Sequence, residues 1–227
     1  MVDSAAAAMR YERKFVIFDL DVAETESVIR FHPAVFREIY HPRIVNNVYL
    51  DTPSLEHYHA NVRGIAQRVK CRIRWYGKSA GPIARPTLEL KRKQGLLGSK
   101  ESHPLQPFDL DERFDARHVL EKSDLPATLR CDLGPLHPIL LNRYRRRYFL
   151  SHDGNFRLTL DSELAFRTVG TGVSRFPAWM PSDGRLVAEL KFGVGHEDGG
   201  TRITSRFPFR LTRSSKYVLG IESLYTR

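Results

Sequence analysis

Polar and apolar residues alternate through RVKCRIRWYG (68–77), where Arg68, Lys70, Arg72 and Arg74 take every second position between Val69, Cys71, Ile73 and Trp75. Successive side chains of a strand point to opposite faces, so the segment predicts a strand with one apolar and one cationic face. The same period recurs in PTLELKRKQG (86–95), where Glu89, Lys91 and Lys93 oppose Leu88 and Leu90. In LNRYRRRYFL (141–150), Arg143, Arg145 and Arg147 oppose Tyr144 and Tyr148. In FRLTLD (156–161), Arg157, Thr159 and Asp161 oppose Phe156, Leu158 and Leu160. Glu189 and Lys191 oppose Leu190 and Phe192, and Glu12 and Lys14 share a face of YERKFVIF (11–18).

The rest of the pattern predicts a helix near Ala23–Arg30, a second short helix over Ala34–Tyr40 and a strand ending at Thr52-Pro53. A helix follows from Ser54, and Ser102–Pro138 is irregular, with helical turns covering one side of the sheet. Residues 141–164 read as a hairpin around His-Asp-Gly-Asn. Tyr217, Val218, Ile221 and Leu224 recur at helical spacing in SSKYVLGIESLY (214–225). The expectation is a flexible N-terminus over 1–8 and one mainly β domain over 9–227.

Six strands with one charged face each do not suit a sandwich, which buries its apolar faces in a single core. They suit a closed antiparallel barrel with a polar lumen and helices outside. Aligned cations repel, and placing many in a low-dielectric channel is costly without anions. A linear chain of phosphates supplies charge and acceptor oxygens, and the planar fork of arginine matches them. The bland alternative is that each strand face is separately solvated.

Composition sharpens this picture. Lys and Arg number 36 against 26 acidic residues, a net charge of +10 that points to a polyanionic partner. The hydrophobic fraction of 41% excludes a globally disordered chain. Two cysteines give neither a disulfide framework nor metal-type spacing, and His57 and His59 do not share a helix face. No Walker-type phosphate loop, GxSxG or HExxH occurs. No signal peptide or apolar run of about 20 residues is present, so a cytoplasmic protein is expected, with any membrane role left to a partner.

Glu-x-Lys recurs at 12–14, 89–91 and 189–191. A hard divalent ion such as Mg²⁺ or Mn²⁺ takes one or two carboxylates together with phosphate oxygens, so these carboxylates are metal candidates as well as partners for lysine.

Tyr-Glu-Arg-Lys-Phe (11–15), Val-Tyr-Leu-Asp-Thr-Pro (48–53), Lys-Cys-Arg-Ile-Arg-Trp-Tyr-Gly (70–77) and Leu-Glu-Leu-Lys (88–91) resemble the VTC (vacuolar transporter chaperone) polyphosphate polymerase domain. So do Arg-Tyr-Arg-Arg (143–146), Arg-Leu-Thr-Leu-Asp (157–161), Glu-Leu-Lys-Phe (189–192) and Ser-Lys-Tyr (215–217), in the same order along nearly the whole chain. Arg10 stands where the wider superfamily signature Glu-x-Glu-x-Lys has its first carboxylate. The resemblance implies the eight-stranded antiparallel barrel of the triphosphate tunnel metalloenzymes. It implies Lys14, Arg72, Arg74, Lys91, Arg143, Arg157 and Lys216 on phosphate and Glu189 on a metal. Lys70, Lys93, Arg145 and Lys191 join them from the strand pattern, and Glu12 and Asp161 are further metal candidates. The implied reaction is transfer of the ATP γ-phosphate onto a polyphosphate chain. The alternatives are a tripolyphosphatase or nucleoside triphosphatase of the same fold, or a non-catalytic barrel binding polyanions. No specific nucleic acid is expected, since aromatic stacking residues are few on the charged faces as read from the sequence.

Overall fold

The computed structural model describes residues 9–169 and 177–225; the expected flexible stretch 1–8 lies outside them. The chain runs β1 (Arg10–Ile17), α1 (Val22–Arg30), β2 (Arg37–Asp51), α2 (Glu56–Val62), β3 (Gln67–Tyr76), β4 (Gly81–Ile83), β5 (Thr87–Gln94), β6 (Leu97–Pro104) and β7 (Phe108–Leu110). It continues through α3 (Ala116–Lys122), α4 (Ala127–Leu133), β8 (His137–Leu150), β9 (Phe156–Thr168), β10 (Met180–Pro181), β11 (Leu186–Gly193), α5 (Glu197–Ser205) and α6 (Lys216–Tyr225). Asp21 caps α1 by accepting from the Glu24 amide while the Glu24 carboxylate accepts from the Asp21 amide.

The helix expected over Ala34–Tyr40 does not form; β2 begins at Arg37 instead. Strand pairing explains the difference: Arg37, Glu38 and Tyr40 register with Leu150, Phe149 and Tyr148 of β8, and an isolated helix of seven residues is marginal beside such a ladder. Strand β2 absorbs Pro42 where that register shifts between Tyr40 and Arg43. Strand β6 and helix α5 were not expected from the sequence.

The principal sheet is antiparallel in the order β10-β9-β11-β1-β6-β5-β3-β2-β8, and β8 pairs again with β9. Eight strands are thereby linked in a ring of pairings. The thinnest joint is β1 to β6, registered only at Arg10 and Gly98.

Alternation along the strands gives the ring two apolar coats. Val48, Leu50, Cys71, Ile73, Trp75, Leu88 and Leu90 pack against Val119 and Leu120 of α3 and Leu129 and Leu133 of α4. Phe15, Leu158, Leu160, Leu190 and Phe192 pack against Ile29 of α1 and Ile203 of α5. The third cluster lies on the other side of the strands. Val45, Tyr49, Tyr144 and Val187 share faces with the charged residues, and they close on Tyr217 and Ile221 of α6 together with Leu140, Leu164 and Phe166. Helix α6 therefore covers one end of the polar side of the ring.

Gly220 permits this approach. A Cβ there would lie 2.5 Å from Leu140 Cδ2 and 2.7 Å from Phe166 Cδ1. Gly220→Val should cost about 1–3 kcal/mol by overpacking and lower the thermal midpoint by a few degrees. A midpoint equal to the parent's would show that α6 is not seated in this way.

Candidate functional site

The register between β3 and β5 sets Arg72 opposite Glu89. Arg72 Nε and Nη2 both donate to Glu89 Oε2, at 2.9 and 2.7 Å. Arg74 Nη1 lies 3.4 Å from the same oxygen, and Lys100 Nζ, from β6, lies 3.1 Å from Oε1. One buried carboxylate thus serves three cations. Burial would raise its pKa, but Arg72, Arg74 and Lys100 hold it well below the usual carboxylate range. Arg74 is fixed further by Asn47 Oδ1 at 2.8 Å and the Tyr144 hydroxyl at 3.0 Å.

A second group joins β1, β5 and β11. Lys14 and Glu189 are cross-strand partners, and Lys91 pairs with Glu12. Lys91 Nζ also lies 3.9 Å from Glu189 Oε1, and Lys191 Nζ lies 3.4 Å from it. Strands β5 and β11 are not neighbours in the ring. Their charged faces therefore meet across its interior. Burial pushes Lys191 down to about 7, against the pull of Glu189. Burial likewise pushes Lys70 well below the usual lysine range, helped by the repulsion of Lys14 and Lys91. Lys14 is raised instead: burial opposes its charge, but Glu189 and Glu12 outweigh it. Burial would raise Glu189, yet Lys191, Lys14 and Lys91 hold it well below its ordinary value.

The third group is built on Asp161 of β9. Arg146 Nε and Nη2 reach its two carboxylate oxygens at 2.5 and 2.7 Å, and Lys216 Nζ lies 2.5 Å from Oδ2. Asp161 is fully buried, and these cations lower it to about 2 although burial alone would raise it. At the start of α6, the Ser214 carbonyl accepts from Lys14 Nζ at 2.9 Å and Ser215 Oγ from Lys70 Nζ at 2.8 Å.

The interior thus brings together Lys14, Lys70, Arg72, Arg74, Lys91, Lys191, Lys216, Glu12, Asp161 and Glu189. Arg157, opposite Lys191, is exposed at the end of β9, and Lys93 donates to the Leu96 carbonyl in the adjoining turn. The expected placement of Arg143 and Arg145 is corrected. Arg145 is half exposed and pairs with Glu163 outside the ring, Arg147 pairs with Glu26 and Glu38, and Arg143 stacks on Trp179. The inner face of β8 carries Asn142, Tyr144, Arg146 and Tyr148 instead. Choosing the more heavily charged face of RYRRR as the inner one misassigned the strand; Arg145 and Arg147 are satisfied by carboxylates on other elements and Arg143 by the Trp179 ring. Sequence reasoning missed Arg146 for that reason and Lys100 because β6 was not recognised.

Burial leaves Glu189 Oε1 without a hydrogen-bond partner, and Thr159 Oγ1, on its cross-strand neighbour, is likewise unsatisfied. Glu189 and Glu12 share the Lys91 ammonium, whereas both oxygens of Asp161 are taken. Among the described residues no group of three or more His, Cys, Asp or Glu side chains gathers to hold a metal unaided. Glu189 and Glu12 fit a hard divalent ion whose remaining ligands are phosphate oxygens and water.

Three solved structures share the fold. A candidate adenylate cyclase of Vibrio parahaemolyticus aligns with 94% of this chain and 98% of its own at TM-score 0.54 and 14% identity. A candidate adenylyl cyclase of Hippeastrum, whose dominant activity is triphosphatase, aligns over 96% of both chains at TM-score 0.51 and 14% identity. A protein of Pyrococcus horikoshii aligns over 93% of this chain and 96% of its own at TM-score 0.50 and 14% identity. No curated protein matches the sequence. No helix among the described residues is long and apolar enough to cross a membrane. The VTC domain family matches residues 9–225, nearly the whole of the described chain, and the protein belongs to that family.

Proposed function

We propose that the ring is a closed tunnel that takes up a linear triphosphate or polyphosphate, and that the protein transfers the ATP γ-phosphate onto a growing polyphosphate chain. The observation that carries this reading is the convergence of Arg72, Arg74, Lys14, Lys91, Lys191 and Lys216 on one interior served by few carboxylates. Each cation now leans on a shared carboxylate, and phosphate oxygens would take over part of that role. Arg72 and Arg74 orient the chain through their planar forks. Lys14 and Lys91 meet charge that develops on the transferring group. Glu189, with Glu12, would hold Mn²⁺ or Mg²⁺, which when bound would supply charge neutralisation to the phosphate oxygens. The protein would act in the cytoplasm, with a membrane partner if its product is exported.

The closure of one end by α6 favours a second reading, cleavage of tripolyphosphate or a nucleoside triphosphate with water as acceptor. The triphosphatase activity of the Hippeastrum relative accords with it. Incubation with ATP and Mn²⁺ separates the two: a polyphosphate ladder on a gel, abolished by EDTA, marks the polymerase, and free phosphate alone marks the hydrolase. A protein that binds polyphosphate but yields neither product would be a binding module only.

Glu189→Gln keeps size and removes charge. Turnover should fall by orders of magnitude while tripolyphosphate binding, measured by calorimetry in EDTA, persists or tightens. Wild-type turnover with unchanged Mn²⁺ dependence would remove Glu189 from the metal site.

Lys191 gives a pH signature. With its pKa at about 7, it is largely uncharged in the free protein above neutrality. A bound polyanion favours the charged form, so binding at pH 8 should take up protons and weaken as pH rises from 7 to 9. Calorimetry in buffers of different ionisation enthalpy reads the uptake directly, and Lys191→Met should reduce it. Binding without proton uptake at pH 8 would contradict a substrate beside Lys191.

A further inference from the structure

The polar side of the ring changes character at the end away from α6. Tyr76 lies two residues beyond Arg74 on the same face of β3, and Tyr148 two residues beyond Arg146 on β8. Tyr40, on β2, is paired in register with Tyr148, and Arg43 with Arg146. Arg43 Cζ stands 5.0 Å from the ring centroid of Tyr40 and 5.7 Å from those of both Tyr76 and Tyr148. Tyr40 and Tyr148 meet edge to face at 5.6 Å. Three phenol rings from three strands thus hold one guanidinium at the mouth. Tyr40 and Tyr76 are about half exposed, at 49% and 50%. Among the described residues no carboxylate pairs with Arg43.

A phosphate chain could use the guanidinium and the phenol hydroxyls but not the faces of three rings. The face of an aromatic ring is electron-rich and repels an anion, so three tyrosines at the entrance do not extend the cationic path. A flat, polarisable group does fit: purine and pyrimidine rings stack on tyrosine faces and on the plane of arginine. Arg43 is already oriented by the rings, so a base need not order it. Resting on the interior site proposed above, we propose that Arg43, Tyr40, Tyr76 and Tyr148 form a nucleobase subsite. The triphosphate of a nucleotide lies among the interior cations and its base stacks at the mouth. This subsite makes the protein discriminate a nucleoside triphosphate from inorganic tripolyphosphate, which the interior alone does not do.

The test titrates ATP and tripolyphosphate in EDTA against the wild type, Tyr76→Ala, Tyr40→Ala and Tyr76→Phe. The alanine variants should weaken ATP by about 5-fold or more, the fold-change given by the lower end of base–aromatic stacking. Their affinity for tripolyphosphate should stay at the wild-type value, and Tyr76→Phe should keep ATP affinity because it keeps the stacking face. Equal loss of both ligands in Tyr76→Ala, with its thermal midpoint unchanged, would overturn the subsite by making the ring a prop for the interior. ATP affinity unaltered in both alanine variants would overturn it while leaving the interior site standing. Failure of tripolyphosphate to bind the wild type would instead overturn the interior site, and the subsite with it.

Discussion

Glu89, Glu189 and Asp161 each serve more than one cation, and the polar interior depends on that sharing. Two like charges about 4 Å apart repel by roughly 4 kcal/mol at an effective dielectric constant near 20. An array of such pairs on facing strands would burst the ring if nothing lay between them. The carboxylates keep it together, yet the cations outnumber them. Lys191 and Lys70 absorb part of the deficit by giving up protons more readily than free lysine does. The interior is thus a compromise among its own charges, one that on the proposed reading an added polyanion would relieve while raising the protonation of Lys191.

The charged interior also dictates the outside. With their polar faces turned inward, the strands cannot share a single central core, so their apolar faces need separate coats. Helices α3 and α4 supply one, and α1 with α5 the other. Asp51 performs a linking task on the remaining side. Its carboxylate accepts from the His57 and Tyr58 amides of α2 and from the Tyr217 hydroxyl of α6, tying both helices to β2. A buried acid that accepts three or more hydrogen bonds is fixed in place and fixes what it touches.

How much of this was legible in the sequence follows from what each signal measures. Strict alternation located the strands carrying Arg72, Glu89, Asp161 and Glu189 and their inner faces, because there the residues flanking each of them are mainly apolar. In β8 both faces are mixed, so period alone could not choose between Arg145 and Arg146. The choice rests on Glu163, Glu26 and Glu38, which lie on other elements and draw the outer arginines away. Strand β6, LGSKESHP, has too little hydrophobic content to read as a strand and forms because β5 offers it a full register. Tyr144 and Tyr148 belong to the same misassigned face as Arg146, and correcting it adds aromatic rings to an interior expected to be lined mainly by cations with a few carboxylates.

The two ends of the ring are unequal, and this orders any substrate within it. At one end the α6 start already satisfies Lys14 and Lys70 through Ser214 and Ser215, and Tyr217 and Ile221 fill the space beyond. At the other end Tyr40 and Tyr76, stacked about Arg43, stand about half open to solvent. On the proposed reading a nucleotide enters with its terminal phosphate leading and its base last. On that reading its γ-phosphate would come to rest beside Lys91, Lys14 and Lys191, the cations gathered around Glu189. The base stays where the rings are. If the protein extends a chain as proposed, the same asymmetry would set a condition: an acceptor phosphate would approach from the α6 side or displace the leaving nucleotide. The helix, rather than the strands, therefore decides whether the interior serves as a cul-de-sac or a passage.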